Sequence, residues 1–270
     1  MPEAFPPQKE RGGKMIICLA GAENKINAKI LAEENVENIL VSFHTLKKNN
    51  LGVKDVVKVC GIKPRIIDSG AYSAKTSGAF ISRYEYCEFL KRNCRLAEHY
   101  INLDVIYNAE ETLKNQKRME EEGFYPLPVF HCYSDFNYLR YYSKRYDLVC
   151  LGGIANLQSN VSLDWFEKCF RILKKDKTKA HACGIGSPTI LRKFDWFSCD
   201  TLDWLCKNGQ IFIPDNNTLK RIRFSDKGAL ALRRPVIEAL GIDYKKLSDD
   251  KEKSRLNVRS FRWFEQRLRE

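Results

Sequence analysis

The chain contains no apolar run approaching the 18 or so residues that a membrane-spanning helix needs, so no part of it reads as a membrane anchor. Its first 14 residues, MPEAFPPQKERGGK, lack the apolar segment of a secretory leader and are expected to form a flexible tail. Ten cysteines are present, yet none is paired as CxxC and no ligand spacing resembles a structural zinc site. Most sit inside apolar runs such as ICLA, LVCLG and HACGIG, where cysteine behaves as a small buried hydrophobe. They are read as reduced thiols, and the expected compartment is the cytoplasm. A glycine-rich dinucleotide fingerprint is missing too, because Gly184-Ile185-Gly186 continues as Ser-Pro-Thr and does not fit GxGxxG. No internal repeat, helix-turn-helix or zinc-finger pattern is visible, which weakens any reading as a non-enzymatic DNA-binding module.

What the chain does have is charge. Its 270 residues are 44% hydrophobic and 30% charged, with a net charge of +12. A basic surface can serve solubility alone, or it can meet a polyanion whose counterions are released on binding. The excess is concentrated late: residues 219–270 hold 15 Lys and Arg against 8 Asp and Glu. The last stretch, SRLNVRSFRWFEQRLRE, reads as a helix with an apolar stripe of Val258, Phe261, Trp263, Phe264 and Leu268. That helix either packs on the rest of the protein or presents Arg259, Arg262 and Arg267 to nucleic-acid phosphates.

Eight short apolar runs alternate with longer amphipathic stretches. They are MIICLAG (15–21), NILVSFH (38–44), RIIDSG (65–70), HYINLDVI (99–106), PLPVFHCY (126–133), DLVCLGGI (147–154), KAHACGIG (179–186) and DWFSCDT (195–201). Each is continuous rather than alternating, as for parallel strands buried on both faces. Between them lie helical patterns such as RYEYCEFLKRNCRLAE and LDWFEKCFRILKK. Eight strand–helix units without a composition break predict a single (β/α)₈ barrel over residues 15–218, with a basic helical segment at 219–270 packed on it. A doubly wound open sheet is the alternative.

Barrel active sites lie at the C-terminal ends of the strands. Those ends carry Asp68-Ser69-Gly70, Asp104, His131, Gly152-Gly153, Gly184-Ile185-Gly186 and Asp200-Thr201. A lone Asp at a strand end is commonly a helix cap. Three of them converging on one mouth with a histidine and two glycine clusters suggest chemistry instead.

These residues fall in motifs that resemble a known family. DSGAYS (68–73) resembles the DSGGFQ motif of the tRNA-guanine transglycosylases, LGGIA (151–155) their GGLA segment and HACGIG (181–186) their HxMGxG segment. CDTLDW (199–204) is similar to the archaeal DSASY pattern around the nucleophile, and KNGQIF (207–212) to the bacterial RNGQAF stretch. The order matches over roughly residues 15–212. The zinc-binding insertion of the tRNA enzymes has no counterpart, since the residues after Asp200 offer only Cys206 and no histidine. A compact barrel with PVFH on the fifth strand and DTLDW at the eighth looks more like the DNA-guanine transglycosylase (DpdA) branch of bacteria and phages, which inserts 7-deazaguanine bases into DNA.

The resemblance implies base exchange through a covalent Asp–glycosyl intermediate, with no cofactor. Asp200 would be the nucleophile beneath the sugar C1′, and Asp68 would manage protons on the departing and incoming bases. Asp104 would accept from the base edge, and His131 stands where the family reads the base with a Gln. Tyr72 would stack on one purine face and Cys183 on the other, with Ser69, Gly70, Gly152, Gly153 and Gly184 lining the pocket. One alignment places Ser198 at the nucleophile position, and Asp203 is a second neighbour. The implied partners are DNA, with tRNA second, and a free 7-deazaguanine base such as preQ0. Whether the chain works as a homodimer or with a helper protein is open. The rival readings are a tRNA enzyme without its zinc module, a nucleoside or sugar hydrolase, and a silent partner subunit.

Overall fold

A computed structural model of the chain describes residues 15–154, 159–206 and 209–268; the expected flexible tail at 1–14 lies outside them. Each of the eight apolar runs contains one strand: β1 (Ile16–Ala20), β2 (Ile39–Ser42), β3 (Ile66–Asp68), β4 (His99–Tyr100), β5 (Val129–His131), β6 (Leu148–Gly152), β7 (Lys179–Ala182) and β8 (Ser198–Thr201). All seven ladders are parallel, in the order β4-β3-β2-β1-β8-β7-β6-β5. The two ends meet through a parallel bridge between Ile101 and Leu127, where Leu127 N–H donates to Tyr100 O at 2.8 Å and Asn102 N–H to Leu127 O at 3.0 Å. The ring is closed, and the fold is a (β/α)₈ barrel.

Side chains on each strand alternate between the barrel interior and the helical layer. Cys18, Leu40, Ile66, Ile101, Val129 and Cys150 point inward and form one apolar cluster. Their neighbours Leu19, Val41, Ile67, Phe130, Val149 and Leu151 point outward into the core beneath the helices. Burying each such Leu or Ile stabilises the fold by roughly 1.5–3 kcal/mol. Two residues further along the same inward faces, Leu40 is followed by Ser42, Ile66 by Asp68, Val129 by His131 and Cys150 by Gly152. The interior is therefore apolar at its waist and polar at the C-terminal mouth.

The segment from 219 onward departs from expectation. It opens inside an antiparallel hairpin, β9 (Gln210–Asp215) with β10 (Thr218–Arg223), before any helix. Leu219 and Ile222 are the buried positions of β10: Leu219 joins the main core, while Ile222 clusters with Ile211, Ile213 and Leu256 and gives the hairpin its own apolar base. The chain then forms two short helices and the long helix Asp250–Arg267. Val258, Phe261 and Phe264 of that helix are buried in the main core. Asn257 ties it to the hairpin, accepting from Phe212 N–H at 2.7 Å and donating to Gln210 O at 3.1 Å. Near its end Glu265 Oε1 accepts from Ile17 N–H, at the start of β1, at 3.0 Å. This helix is packed on the barrel and runs from the mouth side back to its N-terminal end, the path of an eighth barrel helix.

Candidate active site

Asp68, the last residue of β3, turns into a tight corner. Gly70 N–H donates to Asp68 Oδ2 at 2.8 Å, and Gly70 adopts φ +79°. A Cβ at Gly70 would lie 2.5 Å from both Ser42 Oγ and His44 Cβ, so only glycine fits. Burial raises the Asp68 pKa to about 8, helped by Asp104 and Asp200 and opposed by the Gly70 hydrogen bond. A carboxyl with that pKa keeps its proton at neutral pH.

Asp104 follows β4, and its Oδ2 lies 2.7 Å from His131 Nε2 on β5. Ser69 Oγ donates to Asp104 Oδ1 at 3.5 Å and is fully buried. His131 is itself buried, and its Nδ1 has no hydrogen-bond partner among the described residues. The ring is placed to hold Asp104, whose side chain is the more exposed of the two. Gly153, at φ +75°, passes over the ring: a Cβ there would meet His131 Cβ at 3.1 Å and Cys132 N at 3.3 Å.

Across the mouth stands a second group. Asp200 Oδ1 accepts from Gly184 N–H at 2.9 Å and lies 3.2 Å from His181 Nε2. His181 Nδ1 lies 2.8 Å from Ser198 Oγ. Ser198 begins β8 one inward step below Asp200 and is only 1% exposed. The Asp200 side chain is 15% exposed, so of the two it is the one open to the mouth. Asp203 lies past the strand, with its backbone N–H donating to Thr201 Oγ1 at 3.0 Å and its carboxylate beside Gly186. Cys183 packs against Gly152, and its thiol is held well above the ordinary range by its hydrogen bond with Cys150 and by burial. Tyr72 projects from the helix Ala71–Thr76 and is exposed, free to cover a flat ligand.

Two mouth residues were not anticipated. His181 opens HACGIG, two residues before Cys183 on the same inward face; the leading histidine of the motif and that spacing are its signals. Glu23, just past β1, is buried, accepts from Ser42 N–H, and is raised in pKa by burial. It also contributes to the upward shift of Asp68.

His181, Cys183 and Asp200 bring three ligand atoms within 4.8 Å of one another and could hold a metal ion. Cys199 is fully buried in the core outside the strands, and Cys206 is half-buried in the following loop with its N–H on Ser254 Oγ at 3.3 Å.

The three arginines expected on phosphates lie elsewhere. Arg259 forms a two-point ion pair with Glu34, at 2.7 and 3.0 Å, and Arg262 donates to the Glu34 carbonyl. Glu34 caps the helix Lys25–Glu33 at its end remote from the mouth. Arg267 lies over the Trp263 ring, 5.5 Å from its centroid, beyond Glu265 on the same helix. All three are at the opposite end of the barrel from Asp68 and Asp200.

The fold and this mouth together define a (β/α)₈ barrel with opposed carboxylates. No protein-family profile and no curated sequence matches the chain. Among solved structures it is similar to the YdjI aldolase from Escherichia coli K12, with 12% identity, TM-score 0.48 and coverage of 95% of this chain and 91% of that one. A variant of the citrate synthase SbnG gives 9% identity, TM-score 0.45 and coverage of 88% and 96%. The carboxyl transferase domain of Rhizobium etli pyruvate carboxylase gives 9%, 0.49, and coverage of 97% and 49%. None of the three is a transglycosylase, and likeness this distant carries no argument about chemistry.

Proposed function

We propose that the chain is an enzyme that exchanges a purine base in a nucleic acid, guanine in DNA for a 7-deazaguanine, with tRNA the second-choice substrate. The observation that carries this reading is the unequal setting of the two carboxyls. Asp68 is raised to about 8 and so holds a proton, while Asp200 is fixed by the Gly184 N–H and His181 at the opposite wall. Pairs of acids set apart in this way divide into proton donor and nucleophile.

Asp200 attacks C1′ as the glycosidic bond breaks, forming a glycosyl ester. The departing purine takes the bonding pair and the proton from Asp68. The incoming base returns a proton to Asp68 as its ring nitrogen attacks C1′ and releases Asp200. Asp104, held by His131, accepts from the base edge; Tyr72 and Cys183 enclose the ring; Gly153 N–H faces the base carbonyl. Extruding a base from a duplex costs a few kcal/mol, which contacts around the mouth must offset.

The test is to incubate the protein with radiolabelled guanine or preQ0 and either duplex DNA or tRNA. Label is expected in DNA. Label only in tRNA would change the substrate, and label in neither would remove base exchange in favour of hydrolysis or a silent subunit.

A further inference from the structure

Among the described residues the strongly exposed aromatics are Tyr72, Phe80, Tyr84, Tyr107, Tyr125 and Tyr133. All but Tyr125 lie on the segments that leave the C-terminal ends of β3, β4 and β5. Those strands are neighbours in the ring, so the aromatics belong to one arc of the mouth, above Asp68, Asp104 and His131. Tyr107 and Tyr133 are 63% and 73% exposed.

The backbone singles out these two. Six described residues other than glycine have positive φ; three are asparagine, which tolerates that region, and one is a lysine. The remaining two are Tyr107 at φ +69° and Tyr133 at φ +70°. A bulky aromatic in the left-handed region is an outlier, and such outliers gather at functional sites. Each tyrosine follows a site residue closely, Asp104 by three positions and His131 by two. Lys75, on the same helix as Tyr72, holds its Nζ 4.4 Å from the Tyr107 ring centroid and donates to Ile106 O at 3.0 Å. Planar rings interleaved with an exposed cation suit unpaired nucleotides, whose bases stack and whose phosphates are anionic.

We propose that Tyr107 and Tyr133 form a stacking platform for the nucleobases flanking the target, so that the protein engages single-stranded or locally unpaired nucleic acid at this arc. This inference rests on the base-exchange reading and names the form of substrate it takes.

The test is equilibrium binding of a fluorescein-labelled 20-mer containing guanine, offered as single-stranded DNA, single-stranded RNA of the same sequence, and fully paired DNA duplex. Both single strands are expected to bind tighter than the duplex, and the preferred one identifies the polymer. The Tyr107→Ala/Tyr133→Ala double variant should lose roughly 10-fold or more of single-strand affinity, and the double Phe variant should stay within about 2-fold. Tyr107→Gly and Tyr133→Gly relieve the backbone, so their Tm should be equal to or above wild type while binding is lost; a fall in Tm would mark the tyrosines as structural only. Alanine variants that bind as wild type does, or a wild type without single-strand preference, would overturn the platform. Label incorporation by the wild type decides the base-exchange reading separately, so platform failure with incorporation intact leaves that reading standing. A wild type that binds none of the probes overturns the platform, and in that case an apolar arc meeting a second protein is the alternative to pursue.

Discussion

His131 Nε2 lies 2.7 Å from Asp104 Oδ2, joining the ends of β4 and β5 at the point where the barrel closes. The pair places Asp104 for a ligand edge without exposing the histidine, which is 2% exposed. His131→Ala frees Asp104 to rotate while leaving Asp68 and Asp200 in place. A hydrogen bond to a charged group contributes about 1.5–3 kcal/mol, so kcat/KM should fall roughly 10- to 100-fold, mainly through a raised KM for the incoming base. Steady-state kinetics across base concentrations check this. A pure kcat effect would place His131 in proton transfer instead.

The nucleophile assignment separates three neighbours on one strand and its exit. Asp200→Ala and Asp200→Asn should abolish exchange. Asp203→Asn should keep much of it, because that carboxylate lies beside Gly186 past the strand end. Ser198→Ala removes the partner of His181 Nδ1 and should cost about 10-fold at most, since Ser198 is buried below the mouth. Full turnover by Asp200→Asn would refute the covalent route.

Asp68 predicts two pH dependences of the same origin. Its pKa is raised to about 8 in the folded chain, so activity that needs its proton should decline as pH climbs through 8. The stability sign is the reverse of the usual carboxylate. Between the unfolded value near 4 and the folded value near 8 the folded state holds a proton that the unfolded state has lost, so this group's contribution falls as pH rises across that window. Asp68→Asn should therefore raise Tm at pH 8 by a few degrees, equivalent to roughly 1–2 kcal/mol, with little change at pH 4, while exchange disappears. Thermal melts at the two pH values decide it.

Arg259 should matter to folding and not to nucleic-acid binding. Arg259→Ala leaves Glu34, 5% exposed, without its two-point partner and should destabilise the chain by about 2 kcal/mol. Removing Arg259, Arg262 and Arg267 together should leave the salt dependence of oligonucleotide binding unchanged. A flatter salt slope in the triple variant would return these residues to the interface.

The eight strands were legible because each is a continuous apolar run, and every one of the runs contains a strand. The acids at their ends were legible from position alone. The last helix and its inward face of Val258, Phe261 and Phe264 were legible as an apolar stripe; its place in the ring of barrel helices was not, because a hairpin and two short helices separate it from β8. What a side chain pairs with across the ring was equally hidden. Asp104 and His131 are 27 residues apart and meet only on closure, and Arg259 finds Glu34 across 225 residues. Glu23 gave no motif, and the left-handed tyrosines follow no turn signature.

The central claim is that Asp200 carries the sugar. Incubating the wild type with guanine-containing DNA in the absence of incoming base, denaturing, digesting and weighing the peptides tests it directly. The account predicts a nucleotide adduct on the peptide containing Asp200, lost on Asp200→Asn and cleared by adding preQ0. Base incorporation without any adduct, or an adduct on Asp68 or Asp203, would contradict it.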